Sequence, residues 1–337
     1  MKASAASTHD AADVPLPVPP LSAARRWLVI GKLALVLVAL ALLVRWALAE
    51  VQPAGGVAEQ PRLAPAGMLG ALLINQAALF VAALRLRATL AAFAVHLTVG
   101  QAMAIHLRSL FYFFFVPLSV GLEVSRYLDI RRIDPAVPAK TLVLLLLLDR
   151  LLGLVAAVAA LFGLAYIVLP ATVWDVLDWR WLAVVFAVAL TVAALIVARR
   201  AWRTRAVDLL RALRVGSIRL LAPVLLSLLT LLLVCTSVYV VAAASGWGVG
   251  LAPTSFALSA SLLGMALPLS LFGVTLGEPT GIGVMALLGI GPALAVLLVS
   301  LAYVGRLLGA MQGAALELHG GIRRLRPLPR PGSGETP

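Results

Sequence analysis

Two stretches of the sequence place a carboxylate among helix-breaking residues inside otherwise apolar segments. Residues 117–126 read PLSVGLEVSR, and residues 268–278 read PLSLFGVTLGE. Proline and glycine interrupt a helix, and a charged group at membrane depth is tolerated only against protein or water. A carboxylate in that position can hold a polar group or take part in acid–base chemistry. The two stretches therefore mark a candidate functional centre, with these helix-breaking residues: Pro117, Gly121, Pro268, Gly273 and Gly277.

Two pairs of charged residues belong to the first half of this centre. Glu123 and Arg126 lie three residues apart and can pair on one helical face. An ordinary charge pair at the membrane interface, beside a basic loop, explains them equally well. Asp149 and Arg150 lie inside a leucine-rich run, or alternatively at its cytoplasmic interface. Because adjacent helical residues point in different directions, each needs a partner elsewhere. We predict that all four contribute to a substrate-binding site.

Glu278 is the charged residue of the second stretch, between Gly277 and Pro279. A carboxylate inside the membrane is by default a functional-site hypothesis. Its predicted partner is Arg306, which follows Tyr303 by about one helical turn. The alternative is that Arg306 extends its guanidinium to the inner surface of the membrane. Glu278 and Arg306 complete the predicted substrate-binding set.

The elements that position these residues are membrane helices. Of 337 residues, 62% are hydrophobic and 12% are charged, whereas average chains are roughly 25% charged. The apolar runs are too long and continuous for a β-barrel. The net charge of +13 comes from arginines between these runs, which is typical of cytoplasmic loops rather than of nucleic-acid binding. With one cysteine and four scattered histidines, the sequence predicts no disulfide, metal site, catalytic nucleophile or cofactor.

The distribution of charged residues predicts which segments of the first half of the chain cross the membrane, and in which direction. Residues 1–24 form a disordered cytoplasmic tail, and residues 27–49 are a retained first crossing or, alternatively, a cleaved signal peptide. Met68–Leu84 is the second crossing. Ala88–Leu122 is apolar but shorter than the roughly 40 residues that two crossings need. Because basic residues flank it on both sides, we predict a re-entrant hairpin that opens to the cytoplasm.

The chain then crosses outward at Thr141–Leu169 and returns at Trp181–Ala198 to a basic loop, Arg199–Arg219. That loop marks the cytoplasmic side or, alternatively, binds anionic headgroups. Leu220–Ala244 runs outward again. A second hairpin, entered from outside and built on the Gly/Pro-rich residues 268–283, is predicted to follow.

The last predicted crossing is Val284–Ala310, and basic residues after it place its end inside. From Gly305 onward, glycine recurs at every fourth position, at Gly309 and Gly313. Small residues at this spacing allow neighbouring helices to approach closely. We therefore predict a packing seam along this helix.

The predicted fold is all-α: a polytopic membrane protein with six full crossings, two re-entrant hairpins and both termini in the cytoplasm. Residues 25–311 form its membrane domain and residues 312–337 its second cytoplasmic tail. Units of about 67–169 and 220–310 have opposite topology, and each contains one broken segment. Paired broken segments in units of opposite topology indicate a transporter with an inverted repeat.

The order of these motifs resembles the transmembrane region of lysylphosphatidylglycerol synthases and related flippase-like integral membrane proteins. Four residues are similar to the first family motif: Pro117, Gly121, Glu123 and Arg126. Leu122 stands where a second glycine is usual, and no arginine precedes Glu278. A later acid–arginine pair of the family resembles Asp149-Arg150. Six residues are similar to the second-half motif: Pro268, Ser270, Gly273, Gly277, Glu278 and Arg306.

The resemblance covers about residues 67–310 and implies a protein of the plasma or inner membrane whose partners are membrane lipids, plausibly with anionic headgroups. The residues after Met311 are too few for the soluble aminoacyl-transferase domain of the bifunctional members, so no synthase activity is expected. The leading hypothesis is a phospholipid or glycolipid flippase-like transporter that moves a polar headgroup through a central polar cavity. The alternatives are a membrane-embedded lipid-modifying enzyme and a structural subunit that partners an enzyme of envelope-lipid synthesis.

Overall fold

The computed structural model describes residues 63–115, 120–169, 200–265, 270–271 and 274–318, together with scattered helical positions between 31 and 49. Its elements follow in chain order. They are α1 (Pro65–Ala91), α2 (Val99–Phe115), α3 (Val120–Ile133), α4 (Ala139–Val168), α5 (Arg200–Ala244), α6 (Leu251–Gly264), β1 (Ser270–Leu271), β2 (Val274–Thr275), α7 (Gly277–Leu287) and α8 (Pro292–Leu318).

Four described helices are long and apolar enough to cross a membrane. They are α1, α4, the part Leu220–Ala244 of α5, and α8, with lengths of 25 to 30 residues. At about 1.5 Å per residue, each exceeds the ~30 Å thickness of the hydrocarbon core. The chain is therefore a multi-pass helical membrane protein, as the sequence predicts.

Two other predicted crossings, residues 27–49 and 181–198, lie outside the described residues, apart from the scattered helical positions in the first. The predicted tail 1–24 and residues 319–337 of the second tail also lie outside them. The count of six crossings and the cytoplasmic location of both termini therefore stay predictions.

Two helices have boundaries that differ from their predicted ones at the end where the sequence is basic. α1 continues past Leu84 to Ala91, because Leu86 and Leu90 in its last turns are fully buried against the neighbouring helices. α5 begins at Arg200, so the predicted basic loop is the first part of a continuous helix rather than a loop.

The last crossing also differs from its prediction. α8 begins at Pro292, and the predicted start, Val284, belongs to α7. Between these helices Gly289 has φ +78°, a left-handed conformation that glycine adopts without the steric cost a side chain imposes. At its other end α8 continues to Leu318, beyond the predicted boundary of the membrane domain at residue 311.

The first broken segment is a pair of helices, α2 and α3, which pack against each other on either side of residues 116–119. A capping box opens α2. The Gln101 N–H donates to Thr98 Oγ1 at 3.1 Å, and the Thr98 N–H donates to Gln101 Oε1 at 2.8 Å. The hairpin was predicted over Ala88–Leu122, but the helix pair runs from Val99 to Ile133, because residues 88–91 continue α1 and the second arm extends eleven residues past Leu122. Its re-entrant course through a membrane stays a prediction.

The second broken segment consists of α6, a two-stranded hairpin and α7. The strands are antiparallel, with Ser270 opposite Thr275 and Leu271 opposite Val274. Two glycines let α6 and α7 approach closely. A methyl group added to Gly264 would lie 2.8 Å from the Leu276 oxygen, and one added to Gly277 would lie 2.5 Å from the Ser261 oxygen. The sequence predicted the break but not the strand pair, whose two-residue strands are too short to show alternation.

The glycine seam of α8 is confirmed. The helix packs on α1 and α2, and the Asn75 amide of α1 donates to the Gly305 carbonyl at 3.1 Å. Added methyl groups would meet a neighbour at each position of the seam, as follows: Asn75 at Gly305, Leu110 at Gly309 and the Leu107 carbonyl oxygen at Gly313. The seam therefore holds α2, the first arm of the first broken segment, against α8.

The apolar core consists of three clusters. One lies among α1 to α4 and is centred on fully buried Leu86, Leu90 and Leu142. A second lies among α5 to α8 and includes Met285 and Leu297. The third joins the two halves, because side chains of α1 and α2 pack there on Tyr303, Leu307 and Ala310 of α8.

Candidate functional site

Asp149, which is fully buried in α4, is the centre of a polar network between helices. Its Oδ2 accepts a hydrogen bond from Arg85 Nη2 at 2.9 Å and another from Arg126 Nη1 at 3.2 Å. Its Oδ1 accepts a hydrogen bond from Thr89 Oγ1 at 3.1 Å. We call these four residues the Asp149 cluster. One carboxylate thereby joins α1, α3 and α4.

Arg126 extends the cluster to α2. Its Nε donates to Ser109 Oγ at 3.2 Å, and its Nη2 lies 3.2 Å from His106 Nδ1. Because arginine carries only donors, His106 Nδ1 acts as the acceptor in this pair. Four helices therefore meet at one buried ion pair.

Glu123 does not form the predicted ion pair with Arg126. Its Oε2 is buried and has no hydrogen-bond partner among the described residues, because the guanidinium one turn away is directed to Asp149. Glu123 nevertheless lies within electrostatic reach of Arg126, Asp149, Arg150 and Arg85. Arg150 is half-buried and follows Asp149 on α4. Three of the predicted site residues, Glu123, Arg126 and Arg150, thus lie around the fourth, Asp149.

The Asp149 cluster contains more positive than negative charge. Two guanidiniums share one carboxylate, and the Arg85 Nε is buried without a hydrogen-bond partner among the described residues. A buried charge needs close partners of opposite sign, because its desolvation costs several kcal/mol (about 20 in the idealised limit). An anionic group that entered here would complete the pairing of both arginines.

A second network, which the sequence did not predict, joins α2, α3 and α8. Arg108 donates to Asp129 Oδ1 at 2.9 Å and forms an ion pair with Glu317 at 2.6 Å. Arg132 Nη1 donates to Asp129 at 3.1 Å, and the Tyr112 hydroxyl donates to Glu317 Oε1 at 2.9 Å. Burial raises the pKa of the Asp129 carboxyl to about 6, although Arg108 and Arg132 oppose this shift. The network fixes both arms of the first broken segment to the end of α8.

Glu278 and Arg306 form an ion pair, which confirms the predicted pairing of these two residues. Arg306 Nη1 also lies 3.3 Å from Met265 Sδ. The guanidinium carbon is 5.6 Å from the centroid of the Tyr303 ring, which places a cation over an aromatic face. The pair therefore joins the start of α7 to the middle of α8.

Glu278 has a structural role as well. Its Oε2 accepts hydrogen bonds from the Thr275 N–H at 2.6 Å and from the Thr275 hydroxyl at 2.7 Å. The Gly277 N–H donates to Thr275 Oγ1 at 3.0 Å. These reciprocal contacts form a capping box at the start of α7. One carboxylate thus fixes a helix end and pairs with a guanidinium.

The two broken segments meet in the structure. α2 contacts β1, and the ring of Phe114 near the end of α2 packs edge-on against Tyr303 of α8 with 5.4 Å between the centroids. Among the predicted helix-breaking residues, Gly121 is buried in α3 and Gly277 begins α7. The others lie outside the described residues: Pro117, Pro268 and Gly273.

Sequence reasoning missed several members of these networks. Arg85 is one of the basic residues that flank the predicted first hairpin, yet only 17% of its side chain is exposed and it binds Asp149. Two capping boxes were readable as Thr-x-x-Gln at residue 98 and Thr-x-x-Glu at residue 275. Among the described residues, no group of three or more His, Cys, Asp or Glu side chains is placed to hold a metal ion.

Comparison with known proteins gives one match. A family model described as the lysylphosphatidylglycerol synthase TM region matches residues 29–306 of the chain. No curated protein and no solved structure matches the chain. The matched range includes Glu278, Tyr303 and Arg306, and it includes the whole Asp149 cluster.

Proposed function

Because the chain belongs to the lysylphosphatidylglycerol synthase transmembrane-region family, we propose that it is a flippase-like lipid transporter. In this proposal, a polar headgroup passes through the charged centre of the protein while the acyl chains stay in the membrane. The energetic barrier to translocation is the burial of a polar or charged headgroup in hydrocarbon. Fixed charges between the helices lower that barrier.

The observation that carries the proposal is the pairing in the Asp149 cluster. Two guanidiniums share a single buried carboxylate, and the buried Nε of Arg85 has no hydrogen-bond partner in the part of the chain that the structure describes. This arrangement supports the binding of an anionic headgroup, because arginine donates paired hydrogen bonds to phosphate oxygens. We propose that Arg85 and Arg126 contact the headgroup and that Asp149 holds both arginines in position.

The contact between the broken segments supports a path through the centre. Phe114 lies at the end of α2, the first arm of the first segment, and its ring packs on Tyr303 of α8. Glu278 of the second segment pairs with Arg306, one turn further along α8. We propose that the first segment is re-entrant from the cytoplasm and the second from outside, as in an inverted repeat. The headgroup then moves between the Asp149 cluster and the Glu278–Arg306 pair.

We propose further that the protein acts as a carrier and not as an enzyme. The carboxylates of Asp149 and Glu278 are both engaged by guanidiniums and hydroxyl groups, which suits them to hold other groups in place. In this proposal the protein lies in the plasma or inner membrane with six crossings and both termini in the cytoplasm.

Reconstitution tests this function directly. Purified protein is placed in phosphatidylcholine vesicles that contain a trace of headgroup-labelled fluorescent phosphatidylglycerol, and dithionite then bleaches the label in the outer leaflet. We expect bleaching to extend into the inner-leaflet pool with the wild type and not with Glu278→Gln. Bleaching limited to the outer leaflet with folded wild-type protein would overturn the proposal. A new lipid species in mass spectra of the same vesicles would establish an enzyme instead.

A further inference from the structure

Glu123 is a half-buried acidic group whose position the proposed headgroup site leaves unexplained. Its Oε2 is buried with no hydrogen-bond partner among the described residues, whereas its side chain as a whole is partly exposed. Asp149 is the opposite case, since it is fully buried and accepts three hydrogen bonds from neighbouring side chains. Two carboxyl groups in one network therefore occupy very different environments.

Charged groups reach Glu123 electrostatically from three helices. They are Arg126 on its own helix, Asp149 and Arg150 on α4, and Arg85 on α1. The titratable group of α2 in this region is His106, which contacts Arg126. The hydrogen bonds of Arg85 and Arg126 to a carboxylate both go to Asp149, so neither arginine donates to Glu123.

An ionised carboxylate is costly in such a place. A buried acceptor without a donor destabilises the protein, and more so when the acceptor is charged. Burial accordingly raises the pKa of the Glu123 carboxyl above its usual range, against the opposing effect of Arg126. The side chain is partly exposed, and in the proposal below this exposed part is where water exchanges the proton.

We propose that Glu123 is the proton-binding group that couples lipid translocation to a proton gradient across the membrane. This inference rests on the proposed transport function and names its energy source. A proton from water on one side forms the O–H bond of the carboxyl group. That bond breaks when the proton is released to water on the other side, after the headgroup has moved.

Electrostatic attraction couples proton binding by Glu123 to the binding of the anionic headgroup. The groups that act on Glu123 include three guanidiniums and one other carboxylate. Protonation of Glu123 removes a negative charge and strengthens the attraction of this region for an anionic headgroup. Release of the proton weakens it, so proton and headgroup bind and leave together.

The first experiment imposes a pH gradient on vesicles that contain the wild-type protein and labelled phosphatidylglycerol. The membrane potential is clamped at zero with a potassium ionophore and equal potassium concentrations. One proton moved with each lipid enriches the lipid in the leaflet facing the alkaline side about tenfold per pH unit, because one unit is equivalent to ~1.4 kcal/mol. Reversal of the gradient should reverse the enrichment, and Glu123→Gln should show none.

A second experiment does not depend on transport. Dicyclohexylcarbodiimide reacts with protonated carboxyl groups in apolar surroundings, and mass spectrometry locates the product. We expect Glu123 to be modified, with a yield that falls as the pH rises, and Asp149 to stay unmodified. Asp134→Asn, which removes an exposed carboxylate from the turn after α3, should change neither the labelling of Glu123 nor the enrichment.

The outcomes separate this inference from the function on which it rests. Wild-type protein that moves no lipid under any gradient overturns the transport function. Wild-type protein that scrambles lipid equally under both gradients overturns only the proton coupling. Enrichment by Glu123→Gln, or a Glu123 that is unlabelled at every pH, would show that Glu123 does not bind the proton.

Discussion

Arg126 of α3 donates to Asp149 of α4 across 3.2 Å, and this contact ties a broken segment to a full membrane span. The same guanidinium reaches Ser109 and His106 of α2. The two arms of the segment are therefore attached to α4 through one side chain. In the proposed transport, a headgroup that competes for Arg126 would loosen this attachment and so link its binding to movement of the segment.

Asp149→Asn should strongly destabilise the protein. The amide retains the shape of the side chain and can still accept from Thr89, but it leaves the Arg85 and Arg126 guanidiniums together without a counter-charge. Removal of one partner from a buried ion pair costs about 3–5 kcal/mol. We expect a clear fall in the unfolding temperature in detergent, as monitored by size-exclusion chromatography after heating.

Asp134→Asn is the control for this change, because it also removes one carboxylate but from an exposed turn. It should unfold at the wild-type temperature. Equal stability of the two variants would mean that the Asp149 cluster does not hold α1, α3 and α4 together.

Gly313→Ala should disrupt the seam between α8 and α2. The added methyl group would overlap the carbonyl oxygen of Leu107, a backbone atom that cannot rotate away. Overpacking of this kind costs typically 1–3 kcal/mol, and roughly the upper end or more when backbone must shift. The measurement is the unfolding temperature of the purified variant, with its expression level.

Gly283→Ala provides the matched comparison, since Gly283 lies in α7 with open space around its added methyl group. Its stability should equal or slightly exceed that of the wild type, because alanine favours the helix over glycine. If the two glycine variants behaved alike, the close approach at the seam would not be a source of stability.

Several features of the fold and site follow directly from the sequence. The four spans are long apolar runs, and the seam is visible as glycine at every fourth position. Glu278 and Arg306 were paired in the prediction because few charged groups lie at that depth and each needs a partner. Charge scarcity in an apolar segment is a strong constraint on pairing.

The partners of Asp149 and Arg108 could not be predicted in the same way. Arg85 lies 64 residues from Asp149, and Glu317 lies 209 residues from Arg108. Several arginines between the apolar runs were equally available as partners, and the packing of the helices decides which one reaches Asp149. The pairing of Glu123 with Arg126 failed for this reason, since helical spacing allowed it but Asp149 offered the arginine a more deeply buried partner.

The re-entrant course of the first broken segment is testable by cysteine labelling. In a variant without the buried Cys235, single cysteines at Ala66, Ala136 and Leu251 would occupy exposed positions. We expect a membrane-impermeant maleimide to label positions 66 and 251 from outside and position 136 only after the membrane is opened. Labelling of position 136 from outside would show that the segment crosses fully, and the inverted repeat would be lost.

Exchange of the central charges tests whether they serve transport rather than folding. Glu278→Gln keeps an oxygen that can accept from the Thr275 N–H, so the capping box at α7 persists while the ion pair with Arg306 is lost. Arg150→Ala removes a charge that acts on Glu123 next to the Asp149 cluster. We expect both variants to be expressed and inserted, and to lose most lipid translocation in the dithionite assay.

Arg200→Ala is the control for the Glu278→Gln and Arg150→Ala variants. It removes a positive charge at the start of α5, far in sequence from the Asp149 cluster and from Glu278. It should translocate lipid at nearly the wild-type rate. Each Arg or Asp at the centre of a membrane helix costs roughly 2.5–3.5 kcal/mol on insertion scales, so packing alone gives little reason to keep charges there. Normal translocation by Glu278→Gln and Arg150→Ala, with unchanged unfolding temperatures, would show that these two charges are not part of the transport site.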